Sequence, residues 1–143
     1  MPYFVLIEEE EKMQLLKEDF IKHAKKYYDE ALKTLVDLLK YPTVLDEYMP
    51  NTDTPFGVDN KECLEYILDK ASKDGFEVKN CNNYAGPISY GNGDELFGIL
   101  GHLDVVPAGN GWTVPPFELT HKNGRLYGRG ISLRKSNLLE KKL

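Results

Sequence analysis

The run Leu96-Phe97-Gly98-Ile99-Leu100-Gly101-His102-Leu103, followed at once by Asp104, constrains the fold of this chain more than any other feature. It contains no carboxylate, lysine or arginine, and it is bounded by the Gly91-Asn92-Gly93-Asp94 turn before it and by Pro107 and Gly109 after it. A nearly continuous apolar stretch of this kind predicts a strand over Leu96–Leu103 that is buried on both faces. Such a strand needs sheet neighbours on each side and helices above and below, so the expected class is α/β, with this run at the centre of the sheet. A chain that left the run uncovered would present an apolar face and an unpaired edge, an aggregation hazard.

The rest of the sequence supplies elements to pack around it. Leu16, Phe20, Ala24, Tyr28, Leu32, Leu35 and Leu39 recur at steps of three and four, which predicts one amphipathic helix ending near Tyr41-Pro42. A loop follows over 43–58, then a second helix over Asn60–Asp74 with Cys63, Tyr66, Ile67 and Leu68 on or beside its apolar stripe. Gly75 stands where a left-handed C-terminal cap is expected. Short strands are predicted at Phe76–Cys81, Ile88–Tyr90, Phe117–His121 and Arg125–Gly128, the last two joined by Asn123-Gly124, a hairpin signal.

With 143 residues the chain has room for one domain with a real core but is small for an enzyme with a lid. A formal net charge of −5 argues against nucleic acid as the main partner, because phosphate binding calls for a basic excess. Two cysteines, Cys63 and Cys81, make no disulfide framework and read as reduced thiols. The apolar opening Pro2–Ile7 is short, lacks a basic flank and runs into Glu8–Glu11, so neither a membrane span nor a secretory signal is expected and the cytoplasm is the expected compartment.

On an extended strand His102 and Asp104 project from one face. A neutral imidazole is a common metal ligand, and its second ring nitrogen usually donates to a carboxylate that fixes the tautomer. The pair would stand at the C-terminal end of the strand, where open α/β sheets place their sites. Taken alone, a His-x-Asp spacing equally fits an ordinary surface contact, and one ligand does not make a centre, since catalytic zinc needs about three. His23 lies on a lysine-rich helix face and His121 on a hairpin strand, and both are read as exposed or structural.

The wider stretch "FGILGHLDVVPAGNGWTVPPFELTHKNGRLYGRG" resembles the first catalytic segment of the M20 metallopeptidases. Upstream, Asn83-Tyr84-Ala85-Gly86 and the Gly91–Asp94 turn are similar to bacterial PepV-like dipeptidases of that family. The resemblance implies the N-terminal part of a di-metal aminopeptidase-like catalytic domain, helices packed on a mixed sheet, and an enzyme that hydrolyses dipeptides or short peptides with a metal-activated water. It implies two divalent ions, zinc or manganese, in the intact family. It makes His102 a metal ligand and Asp104 the catalytic carboxylate that orients it. Gly111-Trp112, Pro116-Phe117 and Tyr127-Gly128-Arg129-Gly130 are read as structural packing and turns.

The likeness ends after Ser132, and the basic tail over 133–143 is expected to lie outside the family pattern. In the family Gly-Arg-Gly is followed two residues later by a metal-bridging aspartate, and here that position is Leu133 with Arg134 next. Leucine offers no lone pair and arginine repels a cation. The expectation is an incomplete catalytic domain over 1–132 with a basic tail over 133–143, as a shifted frame or early stop would give. Such a chain would bind at most one metal ion weakly and would not hydrolyse peptides by itself. Two other readings stand beside this one: an M20-type deacylase of N-acyl amino acids, and a non-catalytic interaction fragment using the tail cations Arg134, Lys135, Lys141 and Lys142.

Overall fold

The computed structural model describes residues 16–131. The apolar opening, the glutamate run, Leu133, Arg134 and the basic tail lie outside these residues. The chain divides into two units that meet in sequence between Val36 and Asp37.

The first unit is helical. Residues 16–26 form α1 and Tyr28–Leu38 forms α2, whose last two residues pass into the second unit. The single helix expected here is interrupted at Tyr27, whose N–H bonds back to the Ala24 carbonyl at 3.2 Å. That bond reaches three residues back instead of four, which tightens the turn and offsets the stripe. Asp29 and Glu30 then occupy the first turn of α2, where carboxylates favour a helix start.

The second unit is organised by α3, Val58–Lys73. Its buried side chains are Cys63, Leu64 and Leu68, and Leu39, Thr43 and Pro55 are buried with them in this unit. Asn60 anchors the preceding loop, donating from Nδ2 to the Phe56 and Val44 carbonyls at 2.8 and 3.2 Å. The helix ends as its glycine predicts. The Phe76 N–H bonds to the Ala71 carbonyl and the Gly75 N–H to the Ser72 carbonyl, with Gly75 at φ 91°. This is the Schellman pattern, and it needs the left-handed residue.

Two small antiparallel sheets follow. In the first, β1 (Glu77–Val78) pairs with β2 (Ile88–Ser89). In the second, β3 (Thr120–Lys122) pairs with β4 (Arg125–Tyr127), Lys122 opposite Arg125. Asn123 and Gly124 have φ of 53° and 70°. Positive φ at both central residues is the type I′ geometry expected of Asn-Gly. Helices and short sheets thus agree with the α/β class at a coarse level.

The expected central strand is not formed. Leu96–Leu103 runs without strand pairing, and Leu96, Phe97, Ile99 and Leu100 are 97%, 88%, 87% and 99% exposed. Nor do the described residues form a mixed sheet. The nearest approach is one parallel bridge, Val44 to Val105, at the C-terminal end of the run. Apolar character makes a stretch suitable for a buried strand, but a strand exists only where neighbouring backbone completes the ladder. Val44 is the one such neighbour among the described residues.

Candidate functional site

Two contacts fix the end of the apolar run. The Thr43 hydroxyl donates to the Leu103 carbonyl at 2.7 Å, and the Val105 N–H donates to the Thr43 carbonyl at 3.0 Å. Thr43 itself is buried. His102 and Asp104 flank the held residue Leu103, so the backbone carrying both side chains is tied to 43–44, and through Asn60 to α3.

The two side chains meet. His102 Nδ1 lies 2.9 Å from the Asp104 carbonyl oxygen and 3.2 Å from Asp104 Oδ1. Both partner atoms are acceptors once the carboxylate is ionised, so the ring nitrogen must donate and the proton resides on Nδ1. In the neutral ring the lone pair is then on Nε2, the atom available to a ligand. Both side chains are exposed, at 80% and 67%. In water this contact orients the ring more than it stabilises the fold. The correction to sequence reasoning concerns the platform: the pair stands on an exposed extended segment beside a single bridge, not at the end of a buried strand.

The chain beyond Asp104 is clamped. Trp112 Nε1 donates to the Ala108 carbonyl at 2.7 Å, Arg129 Nη2 donates to the same carbonyl, and the guanidinium lies 5.0 Å from the Trp112 ring centroid. The Arg129 N–H bonds to the Pro116 carbonyl at 2.6 Å. A cation over an indole face adds attraction to the hydrogen bonds. Gly130, at φ 87°, leaves no room for a side chain, since a Cβ there would lie 2.9 Å from Val105 Cγ1. The Gly-Trp and Tyr-Gly-Arg-Gly motifs therefore close the loop after the His-Asp pair. Arg129 thus lies in a structural turn, as its motif predicts; Thr43, in a loop after a proline, carries no local sequence signal of its contact with residue 103.

The remaining histidines stand apart in character. His23 and His121 are exposed on α1 and β3. Among the described residues no three of His, Cys, Asp and Glu gather closely enough to hold a metal ion. A surface depression of about 410 Å³ is lined by Lys40, Pro115, Pro116, Phe117 and Glu118 and includes neither member of the pair. No helix among the described residues is long and apolar enough to cross a membrane.

Comparison with known proteins bears on this segment directly. Residues 98–139 match Peptidase family M20/M25/M40, a span that begins inside the exposed run and takes in His102, Asp104, Trp112 and Arg129. This stretch of the chain is thus similar to the M20 peptidases. Further along, the same span takes in Leu133 and Arg134. The chain is also 41% identical over 103 residues to the Beta-Ala-Xaa dipeptidase of Lactobacillus delbrueckii subsp. lactis, covering 71% of this chain and 22% of that protein. It is 38% identical over 102 residues to YtjP of Bacillus subtilis (strain 168), named as a dipeptidase, with the same coverage. A dipeptidase-named protein of Staphylococcus saprophyticus is 37% identical over 106 residues, covering 74% of this chain and 23% of the relative. The chain thus spans between a fifth and a quarter of the length of these relatives.

Proposed function

We propose that this chain serves peptide hydrolysis of the dipeptidase kind, with His102 the ligand imidazole and Asp104 the carboxylate that orients it and supports catalysis. The observation that carries the reading is the Nδ1–H donation into Asp104, within the span that matches the M20 peptidases. It leaves Nε2 as the lone-pair atom, as a ligating histidine requires. The dipeptidase names of the relatives support dipeptides or short peptides as the substrate class.

The described residues do not by themselves fit a pair of divalent ions. One imidazole with one carboxylate already committed to it falls short of the about three protein ligands a catalytic zinc takes. No hydrolytic step through a metal follows from them. What they do supply is an oriented ring, a proton held at Nδ1, and a loop over 105–112 held in place by Arg129 and Trp112. The boundary we place at residue 132 concerns chemistry: the family span runs to 139, but Leu133 and Arg134 offer a cation nothing. On this reading the chain alone binds at most one ion weakly and does not turn over dipeptides. The free thiols of Cys63 and Cys81 support a reducing, cytoplasmic setting.

A graft tests the assignment. Residues 96–131 of this chain replace the corresponding segment of the Lactobacillus Beta-Ala-Xaa dipeptidase, and dipeptide hydrolysis is measured. The graft is expected to retain activity, and His102→Ala within it to lose at least about 100-fold, with Asp104→Ala losing about 10- to 100-fold. A grafted His102→Ala variant as active as its parent would refute the role given to the imidazole.

A further inference from the structure

We infer that residues 94–102 are a self-association strand, pairing antiparallel with the same segment of a second copy of this chain about a two-fold axis at Gly98. The segment opens on a bend at Asp94 and Glu95, its four large apolar side chains are almost wholly exposed, and no backbone–backbone hydrogen bond among the described residues involves it. An open stretch like this one, with no acidic or basic side chain over 96–101, is a template for another strand.

The choice of a second copy, and of one register, follows from the pattern of side chains. A two-fold axis perpendicular to a two-stranded ladder requires facing residues to share parity, so few registers exist. Centred on Gly98, the ladder sets Phe97 opposite Ile99, Leu96 opposite Leu100, Glu95 opposite Gly101 and Asp94 opposite His102. Every large apolar side chain then faces another, and each terminal carboxylate faces an imidazole. Centring the axis on Ile99 instead sets Asp94 against Asp104 twice. Parallel in-register pairing sets Asp94, Glu95 and Asp104 each against its own copy. Like charges directly opposite one another destabilise a ladder, so the sequence selects the Gly98-centred pairing. A ladder this short is expected to bury less than the roughly 1,600 Å² of a stable interface, so the dimer is expected to be weak and to form as concentration rises. This inference does not rest on the hydrolytic reading.

Sedimentation and disulfide trapping of the full 143-residue chain test it. The weight-average mass is expected to rise toward twice the monomer with concentration, and Ile99→Lys to stay at the monomer mass with an unchanged far-ultraviolet circular dichroism spectrum. Cα atoms facing one another in a ladder fall within the range a disulfide spans, while residues offset by two positions do not. Under mild oxidation Gly98→Cys is therefore expected to form crosslinked dimer several-fold more than Phe97→Cys or Ile99→Cys, above the background set by native Cys63 and Cys81. A chain monomeric at all concentrations, equal crosslinking at the three positions, a maximum at Ile99→Cys, or large aggregates that Ile99→Lys fails to dissolve would each overturn it.

Discussion

The Thr43 hydroxyl reaches the Leu103 carbonyl at 2.7 Å across 60 positions of sequence, and the residue it holds lies between His102 and Asp104. Replacing this hydroxyl by a methyl keeps the volume and strands the carbonyl. Thr43→Val is expected to lower unfolding stability by about 1 kcal/mol in urea titration. It is also expected to speed amide exchange at Val105, whose N–H bonds to the same residue.

Gly86 owes its identity to the core. A Cβ at that position would lie 2.8 Å from Leu64 Cδ1 and Leu68 Cδ2, both on the buried face of α3. Gly86→Ala is expected to cost about 1–3 kcal/mol through overpacking. Trimming the neighbour in Gly86→Ala/Leu68→Val should return part of that loss, read by thermal denaturation.

Burial pushes the Cys63 thiol up from 9.0 to about 11. The folded state therefore holds a proton that the unfolded chain releases between those values. Below pH 9 the thiol is neutral in both states and contributes no pH dependence. From about 9 to about 11 the Cys63 contribution falls by up to about 1.4 kcal/mol per pH unit. Denaturation curves across that range should show a slope that Cys63→Ala reduces, and at pH 8 a thiol reagent should modify Cys81 well before Cys63.

Arg129 acts as a clamp through a planar fork and a ring contact. Arg129→Lys keeps the charge but loses the geometry that reaches Ala108 while covering Trp112. Hydrogen exchange over residues 105–112 is expected to quicken at least several-fold, with α3 unchanged.

Locally encoded features were legible in the sequence and those completed at a distance were not. The Asn123-Gly124 hairpin and the Gly75 cap follow from the left-handed conformations those residues tolerate, and both are present. The contact between His102 and Asp104 was legible for the same reason, being two residues apart on extended backbone. The predicted strand over Leu96–Leu103 failed because a ladder is a property of two segments, and composition reports on only one of them. The interruption at Tyr27 left no mark in a hydrophobic stripe whose spacing continues through it. Thr43 was invisible because its partner lies 60 positions on.

The central claim is that His102, with Nδ1–H given to Asp104, presents Nε2 as a ligand atom. The direct measurement is a long-range nitrogen–proton spectrum of the full chain near pH 7.5, titrated with zinc. The expected spectrum has the His102 proton on Nδ1, selective shifts of its Nε2 over those of His23 and His121 on adding zinc, and a response weakened about 10- to 100-fold by Asp104→Ala. A His102 protonated at Nε2, or three histidines responding alike with no effect of Asp104→Ala, would contradict it.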